Sequence, residues 1–187
     1  MNNSFRILTT ACVFLVLLCY ACASRPDEQI KLAADAMNQA MEQRAEQYAP
    51  GEWKSAKEAW DQAQDRLAKQ QYASAATSFI TAKARLTKAR DIAKAERASM
   101  QKQVQDLQAG IATNYAAFKA AVTPARLAGA AKKEFQAACD DVDKRIKIVD
   151  DGMNQGDFIG AKREAQKTLQ AIEYFQKKLL GGATRAR

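Results

Sequence analysis

From Ile30 to Leu179 the apolar residues of this 187-residue chain recur at spacings of three and four with hardly an interruption. That is the period of an α-helix, in which residues three and four apart share a face, whereas the faces of a strand alternate every second residue. Ile30, Ala34, Met37, Met41, Ala45 and Tyr48 form one stripe, Trp53, Ala56, Trp60, Ala63 and Leu67 a second, and Ala75, Phe79, Ala82, Leu86, Ala89 and Ala93 a third. The third runs on through Met100, Val104, Leu107, Ile111, Tyr115, Phe118 and Val122. Its one weak point is Gly110, which costs about 1 kcal/mol relative to alanine inside a helix. Leu127, Ala131, Phe135, Ala138, Val142, Ile146, Val149 and Met153 make a fourth stripe, and Phe158, Ala161, Ala165, Leu169, Ile172, Phe175 and Leu179 a fifth. Five helices are expected, with no strand: abundant Ala, Gln, Lys and Glu favour helix in nearly every window.

Helix breakers stand between the stripes. Pro26 is followed by Asp27 and Glu28, Pro50 by Glu52, and Pro124 stands behind the cap candidate Thr123. Each proline suits a first helical turn, where its missing N–H costs nothing. Asp151-Gly152 and Asn154-Gln155-Gly156-Asp157 combine a glycine stop with an aspartate able to cap the next helix. Between the second and third stripes Lys69-Gln70-Gln71-Tyr72 has no glycine, and a tight turn is expected there.

Tyr72-Ala73-Ser74-Ala75 and Phe158-Ile159-Gly160-Ala161 repeat an aromatic-x-x-Ala pattern at the start of two helices. A tetratricopeptide-like helical hairpin needs such a pair, an aromatic that plugs the turn and a small residue where helices cross. The expected fold is all-α: antiparallel hairpins forming two three-helix bundles that share one long central helix, elongated overall. The expected organisation is a signal segment at 1–21, an N-terminal helical bundle at 22–98, the continuation of the long helix at 99–123, a C-terminal hairpin at 124–180 and a basic tail at 181–187.

The N-terminus carries an address. Arg6 precedes an apolar run from Ile7 to Leu18, and Tyr20-Ala21-Cys22-Ala23-Ser24 follows. The run is about a dozen residues against the ~20 that a membrane-spanning helix needs, so it reads as an export signal. Cleavage before Cys22 leaves a cysteine at the new N-terminus for lipid attachment; cleavage after Ala23 releases a soluble periplasmic protein. Small residues before a cysteine resemble a bacterial lipoprotein signal, with Cys19 at the position three back, usually aliphatic. That resemblance implies lipidation of Cys22, palmitate included, and with Ala23 next to it an outer-membrane protein facing the periplasm.

Composition removes several chemistries. There is no histidine, hence no histidine triad, no imidazole base and no imidazole ligand for zinc or haem iron. Beyond the signal segment Cys22 is accompanied only by Cys139, too few thiols for a multi-thiolate metal site. The expectation is a non-enzymatic protein without cofactor or metal. Arg6 is the one charge lost with residues 1–21, leaving 28 Lys and Arg against 21 Asp and Glu.

Residues 22 to about 98, with Tyr48-Ala49-Pro50-Gly51-Glu52-Trp53-Lys54-Ser55-Ala56 opening the second helix and Tyr72-Ala73-Ser74-Ala75 the third, resemble an uncharacterised family of alanine-rich bacterial envelope lipoproteins. Some members carry an OmpA-like peptidoglycan-binding domain, which this sequence does not contain. Where the family has Gly-Asp before the aromatic of the second turn, this chain has Gln70-Gln71. The resemblance implies a lipid-anchored envelope protein and supplies no catalytic residue.

Four sets of side chains are candidates for function. Lys83, Arg90, Lys94 and Arg97 form a basic stripe suited to anionic lipid headgroups, acidic envelope polymers or an acidic protein, although solvated flanks whose stems cover the seam give the same pattern. Lys177, Lys178, Arg185 and Arg187 add charge at the C-terminus. Trp53 and Trp60, seven apart, fall in register with Ala56, Ala63 and Leu67, which assigns them to the core before any partner or glycan anchor. Asp140, Asp141, Asp143, Asp150 and Asp151 lack the spacing of a calcium loop and, with Lys144 and Lys147 at pairing distance, read as a salt-laced face. Cys139 reads as a small buried hydrophobe before a thiol reserved for an intermolecular disulfide. The expected role is a scaffold or adaptor, held to the membrane by its N-terminal lipid and bound to another envelope protein, with no nucleic-acid partner. The alternative is a binding module for an anionic envelope polymer or a small apolar ligand.

Overall fold

The computed structural model describes residues 24–122 and 129–183. The signal segment with Cys22, the Thr123-Pro124 cap, Leu127, Arg185 and Arg187 lie outside them. Among the described residues the protein is all-α, with six helices: α1 Asp27–Glu42, α2 Ala45–Tyr48, α3 Pro50–Ala68, α4 Tyr72–Ala121, α5 Gly129–Asn154 and α6 Phe158–Ala183. The expected long helix is continuous: α4 holds 50 residues, about 75 Å at 1.5 Å per residue, and Gly110 does not break it. The chain divides into two compact units, one ending at Ala95 and one beginning at Glu96, so α4 contributes to both.

In the first unit the expected stripe from Ile30 to Tyr48 is corrected in two ways. It is not one helix: Arg44 adopts a left-handed conformation (φ 55°) after Glu42, and the four-residue α2 follows. It is also rotated. Ala33, Ala36 and Ala40 are buried, Ile30, Ala34 and Met37 stand half-buried beside them, and Met41 is 58% exposed. Alanine on the contact line lets helices approach closely, and the longer side chains pack over its edges. The break at Arg44 re-aims the backbone so that Ala45 and Tyr48 are buried in spite of it.

In α3 the same arrangement holds, with Ala56, Ala59 and Ala63 buried and Trp53, Trp60 and Leu67 half-buried. The third stripe needs no correction, since all six residues from Ala75 to Ala93 are fully buried. Ala33, Ala63, Ala75 and Phe79 form a core against which Ile30, Trp60 and Leu67 pack, and Trp60 meets Phe79 edge-on with ring centres 5.6 Å apart. Pro50 occupies the first turn of α3 as expected, whereas Pro26 stands just outside α1, where its carbonyl accepts the Ile30 N–H at 3.0 Å.

The second unit buries Val104, Ile111, Tyr115, Phe118 and Val122 from α4 against Phe135, Ala138, Cys139, Val142 and Val149 from α5 and Phe158, Ala161, Ala165, Thr168 and Ile172 from α6. Phe118 lies between Tyr115 and Phe135, with ring centres at 6.4 and 5.4 Å. Asp157 caps α6 as expected, its Oδ1 accepting the Gly160 N–H at 3.1 Å. Gly152 lies close against Ala161: a methyl group built on it would come within 3.1 Å of the Ala161 Cβ.

Candidate functional site

The four basic residues read as one stripe on α4 have different surroundings. Arg90 is committed inside the first unit, donating from one terminal nitrogen to the Gln39 side chain of α1 at 2.6 Å and pairing with Asp91 at 2.7 Å. Lys83 and Lys94 are exposed. Arg97 belongs to the second unit, where its guanidinium stands 5.6 Å from the centre of the Phe158 ring and its Nε is buried with no hydrogen-bond partner among the described residues.

A different basic set comes together between α3 and α4. A cleft of about 130 Å³ is lined by Gln62 and Arg66 from α3 and by Thr77, Ser78, Thr81 and Arg85 from α4. A neighbouring cleft of about 330 Å³, lined by Gly51, Glu52, Ser55, Arg85 and Lys88, continues it and shares Arg85. The two helices are antiparallel, so Arg66 near the turn faces the start of α4, while Arg85 faces the start of α3. Arg66 donates to the Ser78 hydroxyl at 2.6 Å, and that hydroxyl donates on to the Ser74 carbonyl at 2.9 Å. Arg85 donates to the Ser55 carbonyl at 3.3 Å and its hydroxyl at 3.1 Å. Thr77 and Thr81 spend their hydroxyl protons on backbone carbonyls one turn back, which leaves the guanidinium groups as the strong donors of the cleft.

No carboxylate pairs with Arg66, Arg85 or Lys88 among the described residues. The intrahelical pairing rule explains this for the two arginines, while Asp91, three residues from Lys88, is taken by Arg90. Lys57, Lys69, Arg145 and Lys177 each have a carboxylate four residues away and use it. Three and four residues from Arg66 stand Gln62, Ala63, Lys69 and Gln70, and around Arg85 stand Thr81, Ala82, Lys88 and Ala89. This signal was present in the sequence; the cross-helix register that joins the two arginines in one cleft was not.

The other candidates are absorbed into the fold. Trp60 belongs to the first core, and Trp53 lines a cleft of about 260 Å³ with Met41, Arg44, Ala45, Glu46 and Gln47. Three of the aspartates on α5 make structural bonds, although not with Lys144 and Lys147: Asp141 pairs with Arg145, Asp140 accepts from Gln136 and Asp150 from Gln108. Arg145 reaches across to Glu164 of α6 at 3.0 Å, and the Asp141 carboxylate beside it holds its guanidinium above the usual range. No group of three or more His, Cys, Asp or Glu among the described residues is placed to hold a metal ion. Lys177 and Lys178, which add charge near the C-terminus, are paired with Glu173 and with Glu134 of α5. Cys139 is buried, as expected, and its carbonyl accepts from the Tyr115 hydroxyl at 3.2 Å. Burial, with Cys139 and Asp143 nearby, pushes the Tyr115 phenol well above its ordinary value.

Compared with protein-family models, curated proteins and solved structures, the chain has no match in any of the three. No described helix is long and apolar enough to cross a membrane.

Proposed function

We propose that this chain is a lipid-anchored, non-enzymatic helical scaffold of the bacterial envelope, tethered through Cys22 to the outer membrane and facing the periplasm. One observation carries the reading beyond the signal motif itself. The first helix begins at Asp27, five residues after Cys22, and Arg25 is already engaged with Asp27 at 3.0 Å. Five residues span at most ~18 Å fully extended, so a lipid on Cys22 holds the first unit close to the membrane surface. A tether that short suits a protein whose work is done near the bilayer by offering helix faces to an envelope partner. The resemblance of residues 22–98 to envelope lipoproteins supports the same reading.

The test is metabolic labelling with palmitate, followed by detergent partitioning and cross-linking in the native envelope. Wild type is expected to take the label, enter the detergent phase and capture one defined envelope protein, while Cys22→Ala remains unlabelled and aqueous or unprocessed. An unlabelled wild-type protein whose mature N-terminus is Ser24 overturns the anchor.

A further inference from the structure

We propose that the groove between α3 and α4 binds an extended polyanion, whose carboxylate or phosphate oxygens meet Arg66 at one end and Arg85 with Lys88 at the other. The two arginines are the first reason. Each is steadied by serine, Arg66 by Ser78 and Arg85 by Ser55, and neither has a carboxylate partner among the described residues. An arginine has five N–H donors in a planar fork matched to carboxylate and phosphate, and among the described residues most of those on Arg66 and Arg85 have no protein acceptor.

The surrounding charge agrees. From residue 72 to 95, Lys83, Arg85, Lys88, Arg90 and Lys94 are accompanied by a single acid, Asp91, which is bound to Arg90. On α3, Asp61 and Asp65 are neutralised by Lys57 and Lys69. Glu52 lines the cleft at the Lys88 end and offsets part of its charge, so Arg66 and Arg85 are the stronger contacts.

Spacing determines the shape of the ligand. Ser78 and Arg85 are seven residues apart on α4, about 10 Å of helix rise, so Arg66, bonded to Ser78, and Arg85, bonded to Ser55, meet the groove at different levels. One phosphate or carboxylate cannot touch both, whereas a linear chain with repeated oxyanions can. Acidic polysaccharides and phosphate-bearing chains share that chemistry. The inference rests on the first unit alone and is independent of the anchor at Cys22.

Binding is measured by calorimetry on the purified full-length chain in non-ionic detergent, at low and at high salt. The probes are polygalacturonate for carboxylate, long-chain polyphosphate for phosphate, inorganic phosphate as a single oxyanion and neutral dextran. At least one polymer is expected to bind at low salt and to be released at high salt, with inorganic phosphate far weaker and dextran inert. The polymer that binds identifies the oxyanion. Arg66→Gln with Arg85→Gln should weaken it roughly tenfold or more, while Lys83→Gln with Lys94→Gln, which removes the same charge outside the cleft, should change it less than about twofold. Thr81→Glu places a carboxylate in the groove at an exposed helix position and should abolish binding even if the double arginine variant fails to fold. An equal loss in the lysine pair, wild-type affinity in Thr81→Glu, or no binding of either polymer at low salt overturns the proposal.

Discussion

Gln70 and Gly156 do the same work in two separate turns. Both adopt the left-handed conformation, at φ 57° and 68°, one residue beyond the cap of a helix. In the first turn the Gln70 N–H donates to the Leu67 carbonyl and the Gln71 N–H to Arg66; in the second the Gly156 N–H donates to Met153 and the Asp157 N–H to Gly152. These are two Schellman motifs with matching bonds. The aromatic-x-x-Ala tetrapeptides follow each at the same interval, so the repeat seen in sequence extends into the turn before it. Glycine suffers no Cβ clash in this conformation, while glutamine does.

Gln70→Gly is therefore expected to stabilise the protein by about 1 kcal/mol, the usual cost of a left-handed backbone for an L-residue. Chemical denaturation of both proteins checks this; an unchanged or lower midpoint contradicts the assignment of the turn.

Gly152→Ala should act in the opposite direction. Its new methyl group would come within 3.1 Å of the Ala161 Cβ and 3.4 Å of the Ala161 Cα, a backbone atom that cannot easily move. Crowding of this kind costs about 1–3 kcal/mol, and the better helix propensity of alanine returns about 1, leaving a net loss of about 1 kcal/mol. The thermal midpoint is expected to fall.

Trp60 is half-buried, with its edge on Phe79. Truncation to alanine is expected to cost about 2–3 kcal/mol, less than for a fully enclosed tryptophan because part of the ring already faces water. A midpoint within error of wild type would detach Trp60 from the core.

Tyr115 makes stability depend on alkaline pH. Its phenol is raised in the folded protein by burial and by Cys139 and Asp143, while in the unfolded chain it ionises near ~10. The unfolded state thus loses its proton first, so this contribution is whole below about pH 10 and declines as pH rises beyond it. In a spectrophotometric titration Tyr115 should ionise later than the other tyrosines, together with unfolding. Tyr115→Phe should remove that late step and flatten the fall in melting temperature above about pH 10; a full complement of tyrosines titrating normally while the fold persists refutes it.

The legible and illegible parts of the fold separate along physical lines. The stripe from Ala75 to Ala93 was readable because its large members, Phe79 and Leu86, lie on the contact line itself. The first stripe misled because hydrophobicity points to Ile30, Met37 and Met41, whereas close helix approach selects Ala33, Ala36 and Ala40. The left-handed residues Arg44 and Gln70 carry no sequence signal, since neither is glycine or asparagine. At the cleft, the lack of acids near Arg66 and Arg85 was visible in the sequence. Their meeting depends on how α3 pairs with α4, and the turn at Gln70 determines that pairing.

The uninterrupted course of α4 through Ala95 and Glu96 bears on how the protein acquires its structure. Starting a helix is the unfavourable step, because several residues must be ordered before the first hydrogen bond repays them, and each later residue adds with little resistance. Once Ala75, Phe79 and Leu86 have docked, the second half of α4 can grow from an existing end through Arg97 and Ser99 to Val104, where α5 and α6 find a surface already formed. A chain emerging N-terminus first would complete its first unit and, in the same motion, seed its second.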